Sequence, residues 1–260
     1  MASTEENSAI TEPSDGETQE VFWQRVLLKL SGEALAGDAK FGIDSCTLIS
    51  TALEIKRIIT LGVELGIVIG GGNFFRGMSA AAQGMDRVGS DYIGMLATAM
   101  NALALQQALT AQGVESRVLS AIEISGVAEP YIRARALKHL KEGRVVIFAA
   151  GTGNPLFTTD TAASLRALEI GAEVMVKATR VDGVYDDDPE KNPHAIKFER
   201  LEFREVLERR LKVMDATAIT LCEENQMPIQ VLNLHESGSL QKMVMGKPVG
   251  TLISDRPRPS

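Results

Sequence analysis

The stretch RVVIFAAGTGNPLFTTDTAASLRALEIG, residues 144–171, decides the fold. Its opening run, RVVIFAA, is apolar without alternation, which is typical of a strand buried on both faces. Two glycines and a proline then predict a turn. A helical pattern follows, with Thr158 or Thr159 as the expected N-cap and Gly171 as the stop. A buried strand that leads through a loop into a helix is the unit of a parallel sheet.

The rest of the chain repeats this alternation. Further strand-like runs are RVLLKL (25–30), GIVIGG (66–71), SRVLSA (116–121), EVMVKAT (173–179), PIQVLNL (228–234) and TLIS (251–254). Helical patterns lie between them, at about 44–62, 86–112, 129–142, 159–171, 214–226 and 238–245. We therefore expect an α/β protein with a mainly parallel sheet that is covered by helices on both faces.

Charge is unevenly distributed along the 260 residues. The first 20 residues hold six acids and no Lys or Arg, so the remainder has 28 acids against 27 bases and is nearly neutral. Residues 1–22 are expected to be a disordered acidic tail rather than a signal peptide. One domain is expected over 23–254, followed by a disordered tail at 255–260. A nearly neutral body without a basic block gives no electrostatic footprint for nucleic acid.

Cysteine usage and hydropathy indicate a cytoplasmic protein. Cys46 and Cys222 lie in helical patterns without a CxxC motif, as expected for reduced thiols. The most apolar segment, 93–109, is interrupted by Asn101 and two glutamines. It is predicted to be a core or interface helix and not a membrane span.

Four polar or glycine-rich segments follow four predicted strands, and ligands of such sheets bind beyond the carboxyl ends of strands. The segments are KLSGEAL, GGGNFFRG, GTGNPLFTTD and KATRVDGVYDDDP. Lysine, arginine and the N–H groups of glycine-rich loops suit phosphate. Taken singly, each segment also has a structural explanation: a strand-end lysine reaching solvent, a tight turn with a surface arginine, an acid in a first helical turn, and a solvated acidic loop.

Neither glycine-rich segment fits a common nucleotide motif. Phe75 and Leu156 occupy the last glycine position of GxGxxG, and no GK[ST] sequence is present for a Walker A loop. Together, the segments predict two phosphorylated ligands facing each other, an arrangement that serves phosphoryl transfer. Two unit charges ~4 Å apart repel by about 1 kcal/mol in water and about 4 kcal/mol at an effective dielectric near 20. We expect this repulsion to be offset by the positive charge of Lys29, Arg76 and Mg²⁺ and by backbone N–H groups.

These segments closely resemble those of the bacterial uridylate (UMP) kinases, which belong to the amino-acid kinase superfamily. The resemblance covers roughly residues 24–254 and rests on KLSGEAL, IGGGNFFRG, GMLATAMNALAL, GTGNPLFTTD, KATRVDGVYDDDP and KVMDATA. It implies a three-layer αβα sandwich with a mainly parallel twisted sheet. It also implies transfer of the γ-phosphate of MgATP to UMP, which gives UDP and ADP in pyrimidine nucleotide biosynthesis.

The resemblance further implies roles for individual residues. Lys29, Arg76 and Asp160 would be catalytic. The ATP contacts would be Lys29, Leu30, Ser31, Gly32, Gly72, Arg76, Thr179, Tyr185 and Asp188. The UMP contacts would be Gly71, Asp91, Thr152, Gly153, Asn154, Pro155, Leu156, Phe157, Thr158 and Thr159, with Asp91 accepting from a ribose hydroxyl. No residue is assigned as a metal ligand, because Mg²⁺ would arrive with the nucleotide. Whether Asp160 contacts Mg²⁺, Lys29 or Arg76 stays open.

Regulation and assembly are implied in the same way. Family members are commonly hexamers, built as trimers of dimers, and many are activated by GTP and inhibited by UTP. The family's activation region corresponds to Gly37, Asp38, Ala39, Lys40, Phe41 and Gly42. Neither nucleic acid nor a membrane is an expected partner.

Three other functions compete with this one. Another amino-acid kinase, acting on a carboxylate or carbamate, would share the ATP half but not GTGNPLFTTD. A nucleotide sensor on the same fold would not need Lys29, Arg76 and Asp160 together. The two broken GxGxxG matches disfavour a Rossmann dehydrogenase.

Overall fold

A computed structural model describes residues 21–39, 41–75 and 84–256. Two residues with predicted roles, Lys40 and Arg76, therefore lie outside the described residues, as do positions 1–20 of the predicted acidic tail.

One sheet forms the centre of the described protein and is mainly parallel, as predicted. Its strands are β1 (Arg25–Leu30), β2 (Glu64–Ile69), β3 (Ser116–Ser120), β4 (Glu129–Pro130), β5 (Val145–Ala149), β6 (Val174–Thr179), β9 (Arg200–Leu201), β10 (Ile229–Asn233) and β11 (Thr251–Ile253). Their order is β4-β3-β5-β2-β1-β6-β10-β11-β9, and of these pairs only β10 with β11 is antiparallel. A separate antiparallel hairpin joins β7 (Val184–Tyr185) to β8 (Lys197–Phe198).

Helices cover both faces of the sheet. They are α1 (Gly32–Leu35), α2 (Ser45–Ile59), α3 (Arg87–Ala111), α4 (Arg133–Lys141), α5 (Thr159–Ile170), α6 (Phe203–Glu208), α7 (Ala216–Glu224) and α8 (Ser239–Val244). Asp44, Asp86 and Thr158 accept hydrogen bonds from the first turns of α2, α3 and α5, as expected of N-caps. Gly171 ends α5 in the left-handed conformation, at φ +66°.

Two apolar clusters fix the three layers. Side chains of successive strand residues point to opposite faces, so β1 contributes Leu28 to one cluster and Leu27 to the other. The first cluster packs β1 against α2, α3 and α8, and the second packs it against α4, α5 and α7. The predicted αβα sandwich is confirmed.

Some boundaries differ from the sequence-based expectations. The helix expected from 129 begins only at Arg133, because Glu129 and Pro130 pair with β3 as a short strand. Two hydrogen bonds involve residues just outside the expected 23–254: the Phe22 N–H donates to the Val244 carbonyl, and a carboxylate oxygen of Asp255 accepts from the Phe203 N–H. Among the described residues, no helix combines the length and apolarity needed to cross a membrane.

Candidate active site

The carboxyl ends of β5, β2, β1 and β6 lie side by side in the sheet, so the loops that follow them meet at one edge. Lys29 of β1 is in direct register with Lys177 of β6 near that edge. Both lysines end runs of buried apolar residues. Two adjacent ammonium groups in a partly buried place need an anion between them.

Asp160 supplies that anion. The Lys29 Nζ lies 2.7 Å from Asp160 Oδ1, and the Lys177 Nζ donates to Asp160 Oδ2 at 2.7 Å. Lys177 also donates to the carbonyl oxygen of Val213. The three charged side chains are only 9%, 14% and 15% exposed for Lys29, Asp160 and Lys177. We call this arrangement the Lys–Asp–Lys triad.

Burial and charge act in opposite directions on the triad. Burial alone would raise the pKa of Asp160, but the charges of Lys29 and Lys177 outweigh it and hold that pKa below its ordinary value. The pKa of Lys177 is lowered, first by burial and also by the charge of Lys29, although Asp160 opposes both. Asp160 is thus an ionised carboxylate at neutral pH and has little tendency to accept a proton.

Helix α5 brings Asp160 to this position. Thr158 caps the helix by accepting from the N–H groups of Asp160 and Thr161. Asp215, from the KVMD sequence, accepts from the hydroxyls of Thr158 at 2.5 Å and Thr161 at 3.0 Å. Asp215 also caps α7 through the Ala218 N–H. One carboxylate therefore ties the start of α5 to the start of α7.

A cavity of about 450 Å³ opens on the Lys29 side of the triad. We call it the glycine cavity, because the loops after β1, β2 and β5 line it together with α3. Its lining includes Lys29, Ser31, Gly32, Gly70, Gly71, Gly72, Arg87, Asp91, Thr152, Asn154, Phe157, Thr158 and Thr159.

Close backbone approach explains two of its glycines. A Cβ atom at Gly32 would lie 2.5 Å from Asn73 Oδ1, and one at Gly71 would lie 2.7 Å from the carbonyl oxygen of Gly94. Neither place has room for a side chain. On the facing wall, Asp91 accepts from the Leu156 N–H at 2.8 Å and from the Arg87 Nε at 3.0 Å.

A second cavity, of about 530 Å³, opens on the Lys177 side. We call it the acidic-loop cavity, after Asp186, Asp187 and Asp188 in its wall. Its lining also includes Lys177, Thr179, Gly183, Tyr185, Lys191, Arg209, Arg210 and Lys212. The Tyr185 hydroxyl donates to Asp182 at 2.5 Å, and Asp182 pairs with Lys197 across the β7–β8 hairpin at 2.8 Å.

Comparison with known proteins assigns the family. The sequence profile described as the Amino acid kinase family matches residues 24–233. The chain belongs to the amino acid kinase family.

Solved structures of UMP kinases have the same fold. The UMP kinase of Bacillus anthracis is 42% identical, with a TM-score of 0.87 over 90% of this chain and 97% of that one. The UMP kinase of Ureaplasma parvum is 38% identical, with a TM-score of 0.83 over 89% and 99% of the two chains. The uridylate kinase of Archaeoglobus fulgidus is 29% identical, with a TM-score of 0.66 over 88% and 99%. The resemblance to bacterial UMP kinases within the amino acid kinase family is confirmed.

The predicted site residues divide between the two cavities of this amino acid kinase. Lys29, Ser31, Gly32 and Gly72, predicted for ATP, line the glycine cavity together with most of the residues predicted for UMP. Thr179, Tyr185 and Asp188 line the acidic-loop cavity. Gly153, Pro155, Leu156, Leu30 and Asp160 line neither. The Leu30 side chain packs in the core, and Asp160 pairs with one lysine of each cavity. The linings of the two cavities are joined through the triad, which has Lys29 in one lining and Lys177 in the other.

Sequence reasoning missed Lys177 and Arg87. The signal for Lys177 was the same as for Lys29, a lysine near the end of a buried strand. Arg87 precedes Asp91 by four residues, the spacing at which helical side chains meet.

The segment predicted for activation touches the glycine-rich loop. The Gly42 N–H donates to the carbonyl oxygen of Asn73 at 3.1 Å. The rings of Phe41 and Phe74 meet edge to face, with their centroids 5.8 Å apart. Asp38 and its neighbours Gly37 and Ala39 form a short 3₁₀ turn.

A protein-held metal does not fit this amino acid kinase site. Both oxygens of Asp160 face ammonium groups, and the described residues contain no cluster of three His, Cys, Asp or Glu side chains that could hold an ion.

Proposed function

We propose that this chain transfers the γ-phosphoryl group of MgATP to UMP, giving UDP and ADP. The observation that carries the proposal is the Lys–Asp–Lys triad, which holds one lysine at each of two cavities around a shared carboxylate. Two separate anions can approach such a centre from opposite sides. Supporting it, the proteins of similar structure from Bacillus anthracis and Ureaplasma parvum are UMP kinases.

The chemistry asks the protein for position and positive charge. An acceptor phosphate oxygen is already anionic at neutral pH, so no strong general base is needed. Lys29 and Lys177 offset the repulsion between the two phosphate groups as they approach, and Asp160 keeps both ammonium groups oriented without titrating near neutral pH. Charge stabilisation preorganised in this way favours the transition state of phosphoryl transfer.

We assign the acceptor to the glycine cavity and ATP to the acidic-loop cavity. Asp91 and the loop 152–159 would hold UMP, and uracil selectivity would rest on polar groups of that loop, because cytosine reverses the donor and acceptor pattern. Thr179, Tyr185 and Asp188 would contact the adenosine side. Lys29, Ser31, Gly32 and Gly72 would surround the phosphates, and the catalytic role of Arg76 stays a prediction from the sequence.

An acceptor panel tests the proposal against the nearest competitor. Purified protein is given MgATP with UMP, CMP, glutamate, acetylglutamate, aspartate or carbamate, and ADP release is measured. We expect UMP to be the preferred acceptor and UDP to be formed in equal amount to ADP. Turnover of a carboxylate or carbamate without turnover of UMP would overturn the proposal, and binding without any turnover would support a nucleotide sensor instead.

Regulation, assembly and location extend the proposal. We assign activation by GTP and inhibition by UTP, with segment 37–42 involved through its contacts to Asn73 and Phe74. We also assign a homohexameric assembly and a cytoplasmic location. The exposed apolar residues of α3, which include Tyr92, Ile93, Leu96 and Met100, support an interface between copies of the chain. Repeating the UMP assay with GTP and UTP, together with light scattering for molecular mass, tests these assignments.

A further inference from the structure

One face of α3 contacts both loops of the glycine cavity. Asp91, Gly94, Thr98 and Asn101 are spaced by three, four and three residues, so they lie along one side of the helix. Asp91 accepts from the acceptor loop at Leu156. The two residues further along this face, Thr98 and Asn101, are 2% and 0% exposed, and the catalytic assignment above uses neither.

Thr98 fixes the start of the acceptor loop. Its Oγ1 accepts from the Ala150 N–H at 2.7 Å and donates to the Met95 carbonyl at 2.7 Å. Ala150 and Gly151 both have positive φ, of +63° and +59°, at the point where β5 turns into the loop. A positive φ at alanine is disfavoured and persists only where neighbouring contacts hold it. Without the Thr98 hydroxyl, the buried Ala150 N–H would lose its partner.

Asn101 fixes the glycine-rich loop. Its Nδ2 donates to the Gly70 carbonyl at 2.7 Å and to Asn73 Oδ1 at 2.7 Å. The Asn73 amide donates in return to Asn101 Oδ1 at 3.0 Å and to the Gly42 carbonyl at 2.8 Å. These two buried amides thus fasten α3 to both ends of the loop 70–73.

We propose that Thr98 and Asn101 are positioning residues that set the distance between the glycine-rich loop and the acceptor loop, and so the place of the acceptor phosphate. They are about one turn apart on the same helix, so the two loops are hydrogen-bonded to α3 at a fixed separation along its axis. The inference rests on the proposed function. It assigns to α3 a part in phosphate-acceptor geometry that is separate from the contact of Asp91 with the ligand.

Thr98→Val tests the role of the hydroxyl, since valine has nearly the same shape. We expect kcat/KM for UMP to fall about 10- to 100-fold, as small displacements of reacting groups do, while KM for ATP changes less than about 2-fold. Thr98→Ser restores the hydroxyl and is expected to recover most of the activity. Thr110→Val is the matched control: it removes a hydroxyl from the same helix that bonds only within it, to the Gln106 carbonyl.

A second variant tests the other loop. Asn101→Leu removes the side-chain hydrogen bonds to Gly70 and Asn73. It is expected to lower kcat with UMP, as Thr98→Val lowers kcat/KM. All rates are measured at a temperature well below the Tm of each variant, which is determined by circular dichroism. A native Thr98→Val protein with unchanged kcat and KM for UMP would overturn the inference. Loss of the native spectrum in both variants would also overturn it, because the role would then be structural.

The wild-type control separates this inference from the proposed function. If the wild type does not phosphorylate UMP, the proposed function is wrong. The same variants are then compared on whichever acceptor the wild type does use. If the wild type phosphorylates UMP and the variants do so with the same kcat and KM, the proposed function stands and only the positioning role is wrong.

Discussion

The two cavities beside the triad differ in whether backbone groups or charged side chains form their walls. The glycine cavity is walled by backbone: Gly32 and Gly71 approach their neighbours too closely for a side chain, and buried hydrogen bonds hold its loops to α3. The acidic-loop cavity is walled by charged side chains, of which Lys191 is 84% exposed and Asp188 39% exposed. Much of its lining can therefore adjust its conformation at little cost.

This difference fits the proposed binding of the two substrates in separate cavities. A wall of fixed backbone groups suits the side where the acceptor must be placed and selected, because a misplaced group there costs rate. A wall of solvated side chains suits the binding of a large nucleotide that arrives with its own metal. Lys29 belongs to one wall, Lys177 belongs to the other, and Asp160 pairs with both. Changes to the triad are therefore expected to have the largest effect, and changes to one wall should affect one substrate.

Asp160→Asn removes the carboxylate that pairs with the lysines of both cavities. The variant is close in shape but leaves Lys29 and Lys177 with no anion between them. We expect kcat to fall at least about 10²-fold, as for loss of a preorganised electrostatic group. Steady-state kinetics with MgATP and UMP measure the effect. Asp255→Asn is the control, because Asp255 accepts from the Phe203 N–H and lines neither cavity; a near-normal rate for Asp160→Asn would remove the triad from the reaction.

Variants in opposite walls sharpen the comparison. Asp91→Asn removes a negative charge from the glycine cavity, and Tyr185→Ala removes a ring from the acidic-loop cavity. We expect Asp91→Asn to raise KM for UMP about 10-fold or more, since a hydrogen bond to a charged group contributes about 1.5–3 kcal/mol. Tyr185→Ala is expected to raise KM for ATP to a similar or smaller extent.

Each of these variants is the other's control. Varying one substrate while the other is saturating gives both KM values for each protein. Asp91→Asn should leave KM for ATP within about 2-fold of wild type, and Tyr185→Ala should do the same for UMP, since changes at separate sites are independent. Equal effects on both substrates in both variants would show that the cavities do not divide the substrates in this way.

The features that sequence could predict have local causes. The helix starts at Asp44, Asp86 and Thr158 follow from capping chemistry, which acts within three residues. The meeting of four loops at one edge follows from a general rule for parallel sheets. A carboxylate at the first turn of α5 was therefore predictable. Its partner was not, because the sequence left Mg²⁺, Lys29 and Arg76 open, and the structure places Asp160 2.7 Å from the Lys29 ammonium group.

The missed features depend on strand order. Lys177 reaches Asp160 because β6 pairs with β1 in a register that puts Lys177 opposite Lys29, and no local pattern specifies that neighbour. The β7–β8 hairpin was missed because its strands are two residues long and lie within a charged segment. Asn101 looked like an interruption of an apolar helix, and Thr98 was not singled out. The loop partners of both residues are more than 25 residues away in sequence.

The smallest expected effect is on stability as a function of pH, measured for Asp160→Asn against wild type. The pKa of Asp160 is lowered in the folded protein, so its contribution to stability is complete above its unfolded pKa and is lost as pH falls through the folded value. Asp160 opposes the lowering of the Lys177 pKa, so the advantage it gives over asparagine should also shrink as the pH rises and Lys177, whose pKa lies below its ordinary value, loses its proton. The difference in Tm should therefore be largest near neutral pH, on the order of a few °C, and smaller at both ends. Thermal unfolding followed by circular dichroism from acid to alkaline pH measures it. A difference that grows below pH ~4, where carboxylates of ordinary pKa are already protonating, would contradict the ion pairing of Asp160 with the two lysines.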